Sequence, residues 1–291
     1  MQESGINEQC KFCFVQNFER LIEKFPINES DREKFEKHYE KILRESDGKL
    51  MPEIYRELNK EFLKLSGLSD PFAEEKRKSN EIALELYNDL KEVVEKSENP
   101  FQLALRLAIA GNIMDYGPTA HFDVHSTIEK AFTIQFAIDH SAELEKRIKI
   151  AKKILYLGDN AGEIVFDKLF IETMKHPNVT FAVRGAPALN DVTLEDAYQV
   201  EMDKVARVIS NGNDVASTIV KECSSEFQEI FQEADLIISK GQGNLEGLIY
   251  QNDPRIFFLL VAKCDVIAQL LGVEKGSFVV YNTQLPKNKN L

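Results

Sequence analysis

After residue 150 the chain alternates short β-rich segments with helical runs, and that alternation limits the folds open to it. The β-rich segments are 153–157, 179–184, 205–210, 236–240, 256–261 and 277–281. Helical patterns lie between them, at 163–175, 214–223, 225–233 and 263–271. Strands separated by helices predict an α/β fold: a mostly parallel sheet with helices on both faces. The residues before 150 read differently. Apolar positions recur at helical spacing in 14–25, in 31–43 (Phe35, Ile42), in 51–65 (Ile54, Leu58, Phe62, Leu65), in 80–94 (Ile82, Leu86, Leu90) and in 101–113. Asn99-Pro100 and Gly117-Pro118 punctuate these runs. At 291 residues and 43% hydrophobic composition, two domains are expected. Residues 1–150 are expected to form an N-terminal helical domain contributing to a cleft, and 151–291 the Rossmann-like α/β/α domain.

The end of the first β-rich segment carries the densest chemistry. Ile154 to Leu157 is an apolar run that stops at Gly158, and Asp159 and Asn160 follow at once. Ala161, Gly162 and Glu163 then open a helical run. A carboxylate and an amide therefore stand where a strand ends and a helix begins, the place where open α/β sheets bind ligands. A helix start supplies unpaired backbone N–H groups and a partial positive charge, both suited to phosphate. Hard oxygen donors beside such an end suggest a divalent cation and a phosphorylated substrate.

Other strand ends repeat the pattern. The second gives Arg184-Gly185-Ala186-Pro187 and then Asn190-Asp191. The third gives Asn211-Gly212-Asn213-Asp214, and the fourth gives Lys240-Gly241-Gln242-Gly243-Asn244 with Glu246. In a parallel sheet these ends share one edge. Asp159, Asn160 and Asp191 are thereby expected to meet around one cation, with Lys240 reaching a phosphate oxygen. Glycines 241 and 243 would let backbone N–H groups approach closely. Each residue taken alone also has a plain structural reading. Asp159, Asn160 or Asp191 serves as a helix cap, Glu163 favours the helix dipole, and Lys240 is a solvated strand-end lysine.

Composition excludes other classes. A net charge of −12 argues against nucleic-acid and anionic-membrane partners, which need clustered Lys and Arg. No apolar run approaches a membrane span and the first residues are polar, so a cytoplasmic protein is expected. Cys10 and Cys13 form a C-x-x-C inside a helical pattern, which is two thiols packed on a helix, half a zinc site or a redox pair. Cys223 and Cys264 stand alone, Cys264 as a buried core thiol. There is no P-loop, no G-x-G-x-x-G and no G-x-S-x-G. His121 and His125 are four apart and are read as structural or surface groups.

The same blocks resemble a known family. Asp159-Asn160-Ala161-Gly162-Glu163 resembles the signature of the damage-control phosphatases, long described as domain of unknown function 89. Arg184-Gly185 through Pro187 to Asn190-Asp191-Val192-Thr193 resembles that family's second block, and Ser239 to Glu246 its third. Gly111-Asn112-Ile113-Met114-Asp115 resembles another recurring block. The C-x-x-C and the Lys263-Cys264 pair look like the prokaryotic, mainly archaeal, branch. The resemblance implies a helical amino-terminal part and a Rossmann-like α/β/α part that hydrolyses phosphate monoesters with one divalent cation. Manganese, cobalt and nickel are the usual ions, and magnesium is also expected to serve. Carried over, Asp159, Asn160 and Asp191 hold the metal, and Lys240 holds phosphate.

The expected function is thus metal-dependent hydrolysis of small phosphorylated metabolites, with Asp159, Glu163 and Lys240 catalytic. Glu163 is a candidate base and Asp159 a candidate nucleophile; water or a carboxylate attacks. Substrate binding is expected from Asn112, Asp115, Arg184, Gly185, Asn190, Lys240, Gly241 and Asn244. Two alternatives stand beside it. One is an S-adenosylmethionine-dependent carboxyl methyltransferase, which Arg184 at the second strand's end disfavours. The other is a non-catalytic phosphometabolite-binding protein.

Overall fold

The computed structural model describes residues 8–46, 48–111 and 131–287. Among the described residues, helices α1 (Glu8–Lys24), α2 (Glu29–Arg44), α3 (Met51–Ser66), α4 (Ala73–Lys96) and α5 (Pro100–Ala110) precede the first strand. Local signals set their starts. The Asn28 side chain accepts from the Asp31 N–H to cap α2, and Asn99 accepts from the Gln102 N–H ahead of Pro100 in α5. Phe14, Phe18 and Leu21 recur along one face of α1. They close a core with Phe35, Ile42, Ile54, Tyr55, Leu58 and Phe62.

The remaining elements alternate. They are β1 (Phe136–Asp139), α6 (Ser141–Ile150), β2 (Ile154–Leu157), α7 (Glu163–Met174), β3 (Val179–Val183), α8 (Leu194–Gln199) and β4 (Arg207–Ser210). Then follow α9 (Ser225–Glu233), β5 (Leu236–Lys240), α10 (Gly241–Leu248), β6 (Ile256–Val261), α11 (Asp265–Leu271) and β7 (Phe278–Tyr281). The sheet order is β1-β7-β6-β5-β2-β3-β4. Five strands, β6-β5-β2-β3-β4, run parallel; β7 pairs antiparallel with β6, and β1 lies parallel to β7. Strands β2, β3, β5, β6 and β7 are buried throughout, as strands covered on both faces must be. One face is covered by α4, α5 and α7, where Leu105, Ile109, Phe166 and Phe170 pack against Tyr156 and Phe181. The other is covered by α9, α10 and α11 through Phe227, Leu245, Leu248 and Ile267. Among the described residues no helix is long and apolar enough to cross a membrane.

Two elements differ from the sequence reading. The sheet begins before residue 150, with β1, a four-residue strand whose pairing is with β7 at the far end of the chain. The helical pattern at 214–223 is a loop ending in a short 3-10 turn at Val220–Glu222. Val215 and Ile219 are buried four residues apart, which mimics a helix. The Asn211 and Asn213 side chains accept backbone N–H groups two and one residues on, which folds the segment into turns instead.

Candidate active site

Strand β2 has β3 on one side and β5 on the other. The chain runs from β2 outward through β3 and β4, then returns across β2 to β5. This reversal is the switch point at which parallel sheets open a crevice. Asp159 and Asn160 leave the end of β2, and Lys240 and Gly241 the end of β5.

The backbone itself brings the first and second blocks together. Asn160 and Asp191 form an antiparallel bridge. The Ala161 N–H donates to Asn190 O at 2.9 Å, and the Val192 N–H to Asp159 O at 2.8 Å. Asp159, Asn160, Asn190 and Asp191 accordingly line one cavity of about 760 Å³. Gly241, at φ +76°, closes against this cluster: a β-carbon there would stand 1.9 Å from Asp159 Oδ2. Only glycine meets both the left-handed backbone and that approach.

Charge at the cluster is out of balance in a way that favours a cation. Burial, then Asp191 and Glu163, push the Asp159 carboxyl well above the usual range, against the pull of Lys263 and Arg184. Asn160 Nδ2 donates to Asp159 Oδ2 at 2.7 Å and to Glu163 Oε2 at 3.1 Å. With its nitrogen so committed, the Asn160 carbonyl oxygen is the end suited to a cation. Arg184 Nε donates to Asp191 Oδ2 at 2.6 Å, while its Nη2 is buried without a hydrogen bond among the described residues, 3.9 Å from Asp159 Oδ1. Two carboxylates and an amide oxygen fit a hard divalent ion.

Lys240 occupies a different place from the one expected. It is wholly buried and lies outside the cavity lining. Its ammonium donates to Glu163 Oε1 at 2.6 Å, Asp167 Oδ1 at 2.5 Å and Ala108 O at 2.9 Å, which uses all three donors. Burial penalises this ammonium, but Asp167 and Glu163 outweigh it and raise its pKa. Burial also drives Asp167 up to about 7 against the pull of Lys240. The Tyr156 hydroxyl donates to the same Asp167 oxygen at 2.7 Å. Glu163 is equally enclosed, behind Asn160.

The other expected residues sort by position. Asn190 and Gly243 line the cavity. Asn244 is fully buried: its Nδ2 donates to Gly158 O and Lys240 O and its Oδ1 accepts from Thr218, so it ties the ends of β2 and β5 together. Gly185 lies under Gly212, with its N–H donating to Asn213 O at 2.7 Å. Asn112, Asp115, His121 and His125 lie outside the described residues. Cys10 and Cys13 sit in α1 as the pattern predicts; burial first, then Glu246, Cys264 and Cys13, raise the Cys10 thiol to about 11. It is a thiol, not a thiolate, at neutral pH.

Several neighbours of the site carry no motif. Asn80 of α4, fully buried, accepts from the Gly162 N–H at 2.7 Å and fixes the start of α7. Lys263 lines the cavity and faces Asp159. Helices α1 and α3 supply the opposite wall, with Phe14, Asn17, Arg20, Leu21, Met51 and Tyr55 among its residues. Only the Lys263-Cys264 pair was visible in advance, and then as a branch marker.

Comparison with known proteins agrees with this architecture. A crystal structure of a DUF89 family protein from Pyrococcus horikoshii superposes with a TM-score of 0.87 at 34% identity, covering 96% of this chain and 99% of that one. A damage-control phosphatase of P. horikoshii is 41% identical over 223 residues, 75% of this chain and 77% of its own. One from Archaeoglobus fulgidus is 35% identical over 231 residues, covering 76% and 79%. An uncharacterised protein of Methanocaldococcus jannaschii is 33% identical over 94% of both chains. The model of the damage-control phosphatase ARMT1-like domain matches residues 6–279, and the chain belongs to that family.

Proposed function

We propose that this protein is a divalent-metal-dependent phosphatase acting on small phosphorylated metabolites. One observation carries the reading: Asp159, Asn160 and Asp191 converge at the β2/β5 switch point and open into a cavity of metabolite size. Relatives that bear the name damage-control phosphatase support it. Asp159, Asn160 and Asp191 would hold the cation, which supplies Lewis-acid stabilisation of phosphoryl charge. Lys263, on the same wall, suits a second phosphoryl oxygen. Hydrolysis adds water across the P–O ester bond, with the water oxygen ending on phosphorus and a proton on the leaving alcohol. Of Asp159, Glu163 and Lys240, Asp159 alone lines the cavity, which makes it the candidate for activating the attacking group. Glu163 orients Asn160, and Lys240 holds Glu163 in place, so both act by positioning. The methyltransferase alternative is not favoured. Arg184 stands where an acid would take a ribose, and it is committed to Asp191 and Thr218.

The test is hydrolysis of para-nitrophenyl phosphate with Mn²⁺, Co²⁺, Ni²⁺ or Mg²⁺, each with and without EDTA. Turnover is expected with at least one ion, reversed by EDTA and abolished in Asp159→Ala with the fold kept. Binding of phosphorylated metabolites without turnover would leave a non-catalytic binder, and a fully active Asp159→Ala would overturn the assignment.

A further inference from the structure

Tyr55 of α3 belongs to the wall of the cavity opposite the sheet edge. Its ring is fixed, stacked on Phe18 with centroids 5.2 Å apart and tilted against Phe14 at 5.8 Å. The residue is 7% exposed. Its hydroxyl is nevertheless buried with no hydrogen-bond partner among the described residues. Buried phenols ordinarily find one, and a phenylalanine would serve the α1–α3 core equally well. Burial, with the charges of Cys13 and Asp191, raises the phenol pKa, so at neutral pH the group is a donor. The wall around it mixes apolar side chains, Phe14, Leu21 and Met51 among them, with Asn17, Arg20, Lys24 and Glu75. A donor whose ring is fixed by packing, set beside apolar side chains, is how binding sites select orientation.

We infer that Tyr55 is a substrate-binding residue whose hydroxyl donates to an oxygen on the leaving-group side of the phosphate ester. The phosphoryl group is claimed by the other wall, where Asp159, Asn160, Asp191 and Lys263 stand. The favoured substrate therefore has a hydroxylated leaving group long enough to reach α3, rather than a hydrocarbon or aryl one. This inference rests on the phosphatase reading for its chemistry, but not for its readout.

The test is Tyr55→Phe in the full chain, with Mn²⁺ present. Hexose phosphates and glycerol 3-phosphate are compared with phenyl phosphate, which lacks oxygens beyond the ester. KM for the hydroxylated esters is expected to rise about five- to tenfold, as loss of one hydrogen bond implies, with phenyl phosphate changing less than about twofold. The melting temperature is expected to hold or rise, because no protein partner is lost. Calorimetric binding of the same esters reads the same ratio without turnover. A wild type that binds but does not hydrolyse them defeats the phosphatase reading alone. Equal effects on both ester types, no effect on either, a clear fall in melting temperature, or no binding of hydroxylated esters to wild type overturns the inference.

Discussion

The Lys240 ammonium stands 2.6 Å from Glu163 Oε1, and neither side chain is exposed to solvent. Glu163 in turn accepts from Asn160, whose other acceptor is Asp159 on the cavity wall. A lysine at the end of β5 thus governs the β2 loop without touching the cavity. A buried cation facing two carboxylates is costly to assemble and more costly to break, because removing it strands the charges it balanced.

Replacing Lys240 with Met should therefore be destabilising by about 3–5 kcal/mol and should silence the enzyme through disorder of Glu163 and Asn160. The loss should be smaller at pH 5.5 than at pH 8. The folded-state pKa of Asp167, already near 7, rises further once Lys240 is gone, so at low pH the stranded carboxyl is neutral. Calorimetric melting at both pH values checks this; equal losses would show that Asp167 does not carry the charge.

Gly241→Ala tests the approach of backbone to carboxylate. The new β-carbon would occupy the space of Asp159 Oδ2, at a φ of +76° that alanine resists. Asp159 must swing away, and metal-dependent turnover is expected to fall about a hundredfold or more. The backbone strain costs about 1–2 kcal/mol, so the fold survives. Manganese affinity measured by calorimetry should weaken in parallel, whereas unchanged affinity would place the cation elsewhere.

What the sequence made legible follows from how local each signal is. Strand β5 and strand β6 occupy the predicted residues, because a continuous apolar run bounded by turns is a local pattern. The edge bearing Asp159, Asn160 and Asp191 was readable because parallel topology alone aligns strand ends. The inward turn of Lys240 was not. Its partners Ala108 and Asp167 come from α5 and α7, and nothing local marks Asp167 as buried. Strand β1 is four residues long and is defined by its partner β7. Tyr55 and Asn80 look like ordinary members of helical faces; only packing against another segment gives them neighbours in the site.

Asp159→Asn should raise stability while ending catalysis. Asp159, Asp191 and Glu163 repel one another in a buried setting, so at pH 8 in EDTA the neutral amide should stabilise by about 1 kcal/mol. The folded-state pKa is raised, so the native carboxylate costs stability above the unfolded pKa, and the gain should shrink toward pH 5. Manganese should raise the melting temperature of the wild type but not of the variant. A variant that melts lower than wild type in EDTA would mean the carboxylate is held by contacts stronger than the repulsion.

Glu246 offers a test on the α10 wall of the cavity. It lines the wall beside Gln242, whose Nε2 donates to its Oε1 at 3.1 Å. Burial nevertheless lifts its carboxyl from 4.5 to about 7. In the folded state it keeps its proton through a range in which the unfolded chain has lost it. Stability therefore falls as pH rises from 4.5 toward 7, and the cost is complete at pH 8. Glu246→Gln, which cannot ionise, should melt higher than wild type at pH 8, by about 1–3 kcal/mol of stability, and the gap should close as the pH falls to about 4. On the proposed function, the same ionisation adds negative charge to the cavity that would take a phosphate dianion. KM for that substrate should climb in the wild type between pH 6 and pH 8 and stay flatter in the variant. Parallel melting curves and parallel KM profiles at every pH would show that Glu246 is solvated in the cavity and titrates as an ordinary surface carboxylate.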